Sequence, residues 1–196
     1  MPSPCYVHAA ESMMAWWRIA MLLTVSVACG GCRSGGVPSA PAGVTPASLS
    51  VTSKAFEANG AIPVDCSCDG ADRSPPLAWS APPEGTRALA VVVDDPDALG
   101  GELTHWLAYD LPPATVSLPE GVDATTLGGQ EGTNAFGRPG YGGPCPPRHE
   151  LHRYEFHVFA LNAPLAVAAG ATRDAVDTAM SQHVLAEGVL VGTFAH

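Results

Sequence analysis

A Gly- and Pro-rich loop that runs directly into an alternating segment constrains the fold of this 196-residue chain more than any other feature. The loop, residues 132–147, is neither a helix nor a central strand, because glycine tolerates positive φ angles and proline donates no backbone hydrogen bond. Residues then alternate between two faces from Leu151 to Leu161. One face carries His152, Tyr154, Phe156 and Val158, and the other carries Arg153, Glu155 and His157. The pattern predicts a strand with a histidine and a tyrosine on its apolar, inward face and Arg153 pointing away.

Strands dominate the rest of the pattern from Leu49 onward. The continuous apolar run from Arg87 to Val93 predicts a strand that is covered on both faces. Other strands are predicted at residues 49–56, 104–111, 151–161 and 189–194. One helix is predicted near residues 172–187, capped by Thr172 and ended by Gly188. We therefore expect a mainly β, sandwich-like fold with small peripheral helices rather than a parallel doubly wound sheet.

The N-terminal part of the chain has the composition of an export segment followed by a tether. A short apolar run, residues 13–28, precedes Cys29-Gly-Gly-Cys32. The run is shorter than the roughly 20 apolar residues that a membrane-spanning helix needs. We interpret residues 1–32 as a lipoprotein-type signal peptide with Cys32 or Cys29 lipidated, and an uncleaved anchor helix is the alternative. Residues 33–48, rich in Pro, Ala, Gly and Ser, predict a flexible linker, and residues 49–196 predict one domain. We expect the protein to be exported to the cell envelope or periplasm and anchored to a membrane through a lipid.

The charge balance limits the classes of partner. The net charge is −10 and the chain contains a single lysine, so it has no basic stripe for nucleic acid and no polybasic patch for a membrane surface. An anionic ligand must therefore be captured by local donors rather than by the overall field. The sequence gives no reason to expect a cofactor.

Three cysteines lie within the predicted domain. In an oxidising compartment we expect a bridge from Cys66 or Cys68 to Cys145, which leaves one thiol free. Cys68 and Cys145 are the pair we name as the possible disulfide. The Cys66-Ser-Cys68 segment lacks the second ligand pair of a zinc site, so we expect no metal there.

Four segments carry residues with candidate chemistry. Asp95 and Asp97 follow the apolar strand in a turn stiffened by Pro96, for which a solvated turn is the alternative interpretation. A second segment is His105-Trp106, a third is the loop Gly142-Gly-Pro-Cys-Pro-Pro147, and the fourth is His152-Arg-Tyr154. Histidine can donate to an anion near neutral pH, and glycines let backbone amides approach a ligand. Either histidine taken singly could equally be a hydrogen-bonded core residue.

The order of these motifs resembles that of one protein family. The matching motifs are Cys68-Asp-Gly70, Ser74-Pro-Pro-Leu-Ala-Trp79, Pro83-Glu-Gly-Thr86, Asp95-Pro-Asp-Ala98, His105-Trp106, Asn134-Ala-Phe-Gly137, Gly143-Pro-Cys-Pro-Pro147 and His152-Arg-Tyr154. Together they resemble the phosphatidylethanolamine-binding protein (PEBP) family, in its bacterial Raf-kinase-inhibitor-like branch, over nearly the whole domain. The sequence departs from the family where Leu99-Gly-Gly101 replaces the usual proline after Ala98. This departure puts the rim of the ligand pocket in doubt.

The resemblance implies both a fold and a ligand site. The fold is a Greek-key antiparallel β-sandwich, and the site is a small cavity at one end of the large sheet. Carried over by motif, its residues are Asp95, Asp97, His105, Gly143, Pro144, His152 and Tyr154. Family members bind phosphate-like anions and phospholipid head groups there, and bacterial relatives suggest a homodimer.

These expectations favour a non-catalytic binding protein. An anionic head group would be held by His105, His152, the Tyr154 hydroxyl and loop amides, with Asp97 orienting an imidazole or meeting a ligand's ammonium group. Binding should then weaken above the ordinary imidazole pKa of about 6.5. One alternative is an inhibitor of an envelope kinase or protease that acts through the pocket rim. A less favoured one is a metal-dependent phosphoesterase that uses the carboxylates and histidines of the same set.

Overall fold

Short strands and three long ones build the part of the chain that the computed structural model describes, residues 46–196. The strands are β1 (Ala47–Ser48), β2 (Val51–Ser53), β3 (Leu77–Trp79), β4 (Ala88–Asp95), β5 (Leu103–Leu111), β6 (Ser117–Leu118), β7 (Gln130–Glu131), β8 (Leu151–Leu161) and β9 (Val184–Ala195). The helical elements are the α-helix α1 (Arg173–Met180) and 3₁₀ turns at Val64–Cys66 and Ala124–Leu127. The mainly β class is therefore confirmed.

The strands form two sheets. The larger has the order β1-β9-β8-β4-β5-β7, and the smaller has the order β2-β3-β6. Strands β4, β5 and β7 lie side by side, and β8 returns to the outer side of β4, which is the spatial order of a Greek key. All pairs are antiparallel except β1 with β9, which is parallel.

Strand β4 is buried along its whole length because both faces of the large sheet are covered. Leu89, Val91 and Val93 belong to the core that includes Leu77 and Trp79 of the small sheet. The alternate residues Ala88, Ala90 and Val92 pack with Val176 and Met180 of α1 on the other face. The continuous apolar run thus has the double-sided environment that its sequence predicts.

Strand β8 confirms the predicted alternation. His152, Tyr154, Phe156 and Val158 are buried, whereas the residues between them are exposed or half-buried. The strand pairs with β4 on one side and β9 on the other. Its central position fixes the inward face of His152 and Tyr154 at the edge where β4 ends.

The helix is shorter than the predicted 172–187. Thr172 caps it, since its side chain accepts a hydrogen bond from the Ala175 amide, but the helix ends at Met180. Val184 matches the helical spacing yet begins β9, where it pairs with Leu161. Gly188 is not a helix terminator either, because it lies inside β9, where a Cβ would collide with the backbone of Leu49. Tertiary pairing of β9 therefore overrides the local helical pattern.

The N-terminal predictions are only partly within the described residues. Residues 1–32, the candidate lipidation sites Cys29 and Cys32, and the linker up to residue 45 lie outside them. Ala47 and Ser48, assigned above to the linker, form β1, and the predicted strand 49–56 is regular only at Val51–Ser53. Between residues 46 and 196, no helix has the length and apolarity needed to cross a membrane.

Candidate functional site

Three neighbouring strands bring most of the predicted site residues to one edge of the large sheet. Asp95 ends β4, His105 lies near the start of β5, and His152 and Tyr154 lie near the start of β8. Because β4 lies between β5 and β8 and is antiparallel to both, these ends meet. The sequence order of the motifs thus becomes a spatial cluster.

A β-bulge aims His105 into this cluster. Val93 pairs with Trp106 and Asp94 pairs with Thr104, so His105 is the extra residue without a partner in the register. A bulge turns a side chain away from the direction that strict alternation would give it. The His105 ring consequently packs edge-on against Tyr154, with ring centroids 5.1 Å apart.

His105 and Tyr154 present two polar atoms that have no partner in the protein. The side chains are almost fully buried, with residue exposures of 1% and 0%. The His105 Nδ1 donates to the Gly142 carbonyl at 2.7 Å, but His105 Nε2 and the Tyr154 hydroxyl form no hydrogen bond. Buried polar atoms are rarely left unpaired, since each costs about 1–3 kcal/mol. The two atoms are therefore candidate contacts for a polar ligand.

Burial also determines the ionisation of this pair. It lowers the pKa of His105. The hydrogen bond to Gly142 and the negative charge of Asp95 raise this pKa, but by less. Burial, followed by the charge of Asp95, raises the pKa of Tyr154. Both groups are neutral near pH 7, so Tyr154 is a donor and His105 Nε2 is an acceptor.

His152 has the opposite character because it lies between two carboxylates. Its Nδ1 donates to Asp95 Oδ2 at 2.7 Å, and its Nε2 donates to Glu150 Oε2 at 3.2 Å. Burial works against the charged form, but these hydrogen bonds and charges outweigh it and raise the pKa of His152. The His152 ring is held in place by Asp95, whose other oxygen accepts the Asp97 amide at 2.9 Å.

Asp97 does not orient an imidazole, which corrects the role expected from the sequence. Its carboxylate binds Arg153 instead: Oδ2 accepts from the Arg153 amide and Nε, both at 2.9 Å, and Oδ1 accepts from Nη2 at 2.8 Å. These hydrogen bonds lower the pKa of Asp97 to about 2. The orienting carboxylate is Asp95.

Arg153 takes part in the site although it lies on the outward face of β8. Its side chain folds onto Asp97 at the rim, in an open surface depression of about 510 Å³. The depression is lined by Asp97, Glu150, Leu151, His152 and Arg153. It gives access to His152, and Arg153 reaches its rim from the outward face of β8 that strand alternation predicts for this residue.

The Gly-Pro loop supports the site, and two of its amides, those of Gly142 and Gly143, are already bound within the protein. The Gly142 amide donates to the His105 carbonyl at 2.9 Å, and the Gly143 amide donates to Asp72 Oδ1 at 2.6 Å. A Cβ at Gly143 would lie 2.5 Å from the Cys66 carbonyl oxygen, which explains the glycine. The Pro144 carbonyl accepts the Cys68 amide at 3.1 Å.

A disulfide fixes this loop to the segment beside it. Cys68 and Cys145 are bonded, with their Cα atoms 5.5 Å apart, and Cys66 is the buried thiol among the described residues. Burial, followed by the charges of Glu120 and Asp65, raises the pKa of the Cys66 thiol to about 11. Of the two pairings left open by the sequence, the structure has Cys68–Cys145.

Three residues at the site received no role from the sequence. Glu150 binds His152, Asp72 binds the Gly143 amide, and Phe136 packs edge-on against His105 with ring centroids 5.3 Å apart. All three residues lie in or beside motifs quoted above, since Asp72 falls between Gly70 and Ser74, so their positions in the sequence could have indicated a role. The contact of Asp72 with Gly143, 71 residues further along the chain, is a long-range interaction that no local pattern predicts.

The residues considered for a metal-dependent phosphoesterase do not gather as ligands. Over residues 46–196, the side chains that come close enough to share an ion are Cys68, Cys145 and His196. Two of these are joined in the disulfide. Nothing in the carboxylate and histidine geometry favours the phosphoesterase interpretation.

Comparison with known sequences extends the similarity over the whole described region. The family profile for phosphatidylethanolamine-binding protein matches residues 52–195. A UPF0098 protein of Aquifex aeolicus is 43% identical over 150 residues, which cover 74% of this chain and 88% of that protein. A Mycobacterium tuberculosis protein with the provisional name lipoprotein LppC is 40% identical over 188 residues, covering 88% of this chain and 92% of its own length.

Solved structures give the same result. Escherichia coli YbcL, described as a new member of the mammalian PEBP family, superposes with a TM-score of 0.72 at 31% identity and covers 76% of this chain and 99% of its own. CT736 of Chlamydia trachomatis, described as a PEBP homologue, gives a TM-score of 0.71 at 35% identity and covers 76% and 98%. Sequence, fold and motif order agree, and the chain belongs to the phosphatidylethanolamine-binding protein family, in its bacterial YbcL-type branch.

Proposed function

We propose that this protein is a non-catalytic binding protein for phosphate-like anions, with phospholipid head groups of the phosphatidylethanolamine type as the ligand class. The observation that carries the proposal is the pair of unpartnered buried atoms, His105 Nε2 and the Tyr154 hydroxyl, on rings 5.1 Å apart. His152, whose pKa is raised, lies at the same sheet edge and supplies positive charge when it is protonated. Family membership supports the proposal but does not by itself identify the ligand.

The donor pattern favours a partly protonated phosphate. Since His105 Nδ1 donates to Gly142, the neutral ring offers only a lone pair at Nε2. A phosphate monoester that retains one proton can donate to this nitrogen while an unprotonated oxygen accepts from Tyr154. An intact phospholipid head group is a phosphodiester and carries no such proton, so to bind it the His105 ring itself takes up a proton. Either route places one proton between ligand and His105, so affinity should fall as pH rises, for a monoester such as phosphoethanolamine above about 6–7, near its second phosphate pKa.

The mouth of the site suits a ligand that also carries a cation. Glu150 is half exposed and lies against His152 Nε2, where an anionic oxygen would otherwise bind. A bound phosphate would displace the Glu150 carboxylate, which would then be free to meet an ammonium group. Ethanolamine phosphate supplies both charges in one molecule.

We also propose that the protein is exported and anchored to a membrane by a lipid on Cys29 or Cys32. The match to LppC covers 88% of the chain, more than the 74% matched by the Aquifex aeolicus protein. Metabolic labelling with a palmitate analogue in a bacterial host, with Cys29→Ser and Cys32→Ser variants, tests this. Label lost in one variant would identify the modified residue, and no label in the parent chain would contradict the proposal.

Calorimetric titration of the full chain tests the ligand class. Inorganic phosphate, phosphoethanolamine and ethanolamine separate the contributions of the anion and the cation. We expect saturable binding of the first two, tighter for phosphoethanolamine, and none for ethanolamine. No binding of either phosphate compound at pH 6 would overturn the proposal and leave the interaction-protein alternative, which acts through the pocket rim.

A further inference from the structure

A second group of reactive side chains lies at the surface disulfide. Both Cys68 and Cys145 are exposed, and His196 Nε2 lies 4.0 Å from Cys145 Sγ. The other ring nitrogen of His196, Nδ1, binds Asp69 Oδ2 at 2.7 Å. The His196 side chain is 15% exposed, so the neighbouring protein holds the ring in this position.

The Asp69 contact determines which atom faces the sulfur. A carboxylate accepts, so Nδ1 carries the hydrogen and Nε2 points towards Cys145. A disulfide that is only structural needs no ionisable partner. In contrast, a carboxylate–imidazole–sulfur series is the arrangement that stabilises a thiolate, because the protonated ring donates to the sulfur and the carboxylate holds the ring.

Space for an attacking thiol is present beside the bond. A depression of about 280 Å³ is lined by Cys68, Asp72, Phe136, Arg138, Gly143 and Cys145. Its charged groups, Arg138 and Asp72, pair with each other at 2.7 Å. On this side of the bond the charges of Arg138 and Asp72 therefore largely offset each other.

We propose that Cys68–Cys145, with His196 and Asp69, is a thiol–disulfide exchange site whose substrates are dithiols. A substrate thiolate attacks Cys68 Sγ, the bond between the two sulfurs breaks, and Cys145 leaves as a thiolate beside His196 Nε2, from which it can take a proton when the ring is protonated. The second substrate thiol then attacks the mixed disulfide and releases Cys68. The dithiol is oxidised to a disulfide, the Cys68–Cys145 bond is reduced to two thiols, and two electrons and two protons are transferred.

This proposal does not depend on the anion site. Cys66 provides an internal contrast, since it is buried and its raised pKa of about 11 makes it a poor nucleophile. The exchange site is directed towards solvent, and its partner is a dithiol that reaches the surface.

Site-resolved alkylation tests the proposal on the full chain. The protein is equilibrated with dithiothreitol under native conditions and then alkylated at pH 7. Cys68 and Cys145 are quantified separately by mass spectrometry, so the cysteines outside residues 46–196 do not interfere. We expect reduction without unfolding and alkylation of Cys145 roughly tenfold faster in the parent chain than in His196→Ala, as for thiolates stabilised by a neighbouring imidazolium.

Two further variants control the result. Asp69→Asn should slow alkylation of Cys145 in the same direction while leaving the fold intact, because Asp69 is about half exposed. His157→Ala removes another histidine–carboxylate pair, His157 with Glu187 at 2.9 Å, and should change nothing at Cys145. Reduction that occurs only in denaturant, or equal alkylation rates in the parent chain, His196→Ala and Asp69→Asn, would overturn the proposal.

Discussion

At the scale of single residues, a substitution at Tyr154 is expected to affect ligand affinity and folding stability differently. Its buried hydroxyl has no partner, so Tyr154→Phe removes an unsatisfied group rather than a hydrogen bond. The unfolding free energy should stay the same or rise by about 1 kcal/mol, while affinity for phosphoethanolamine should fall about tenfold or more, because a hydrogen bond to a charged group is lost. Urea unfolding and calorimetry on the same preparation measure the two effects. A variant that is less stable yet binds normally would contradict the role given to Tyr154.

A substitution at Glu150 is expected to raise, rather than lower, the affinity for an anion. In the proposed complex the Glu150 carboxylate, which binds His152 Nε2, competes with the anion for this nitrogen and attracts the ammonium group. We expect Glu150→Gln to bind inorganic phosphate about two- to fivefold more tightly, in keeping with the small energies of half-exposed ion pairs. The preference for phosphoethanolamine over phosphate should shrink in the same variant. Unchanged affinity for both ligands would mean that Glu150 stays clear of the bound anion.

Several residue roles could not be predicted from the sequence. Alternation correctly predicted that His152 and Tyr154 point inward, because it reports the period of a strand. The same rule correctly places Arg153 on the outward face, but it does not predict that the long side chain binds Asp97 at the rim. It also could not predict the direction of His105, since that depends on a bulge created by the pairing of β4 with β5.

At the scale of elements, the loop that contains Gly142 and Gly143 is fitted closely against its neighbours. A Cβ at Gly143 would meet the backbone of Cys66 and Ser67, whereas a Cβ at Gly142 would mainly meet the ring of Phe136, 2.7 Å away. Backbone cannot move aside as an exposed ring can. Gly143→Ala should therefore lower the unfolding free energy by about 1–3 kcal/mol, as overpacking does, and Gly142→Ala by less. Equal losses in urea unfolding would show that the loop is not held by Cys66.

Strands β4 and β9 show where the local hydrophobic pattern predicts secondary structure and where it does not. The run in β4 was predictable because burial on both faces leaves a continuous apolar segment. The predicted helix extends beyond the observed one because Val184 fits both a helical face and the start of β9. Periodicity alone does not distinguish them, since pairing with β8 is a long-range interaction.

At the scale of the whole molecule, His105 and His152 give the stability two opposite pH dependences. Between its lowered native pKa and the ordinary value of 6.5, His105 makes the folded state more stable as pH rises. His152 has a raised native pKa, so its contribution is complete below 6.5 and is lost as pH rises through that native value. These two groups together favour a maximum of stability near 6.5. In His152→Gln, the unfolding free energy should no longer decline above pH 6.5 but should still rise with pH below it. Urea unfolding across pH 5 to 9 measures this profile. A profile that is unchanged from the parent chain would contradict the raised pKa of His152.

The overall charge limits where the anion can bind. With a net charge of −10, the molecule repels anions at long range, so affinity must come from a few buried donors. In the proposed complex the phosphate group therefore contacts the buried pair His105 and Tyr154.

The most direct test follows the imidazole nitrogen signals of the full, ¹⁵N-labelled chain by NMR as phosphoethanolamine is added at pH 6. We predict that the Nε2 signal of His105 moves with saturation and that the His152 signal moves with it. The ring signals of His157 and His183, which pair with Glu187 and Asn162, should not move. A His105 signal that stays fixed while the ligand binds would place the anion elsewhere and contradict the account.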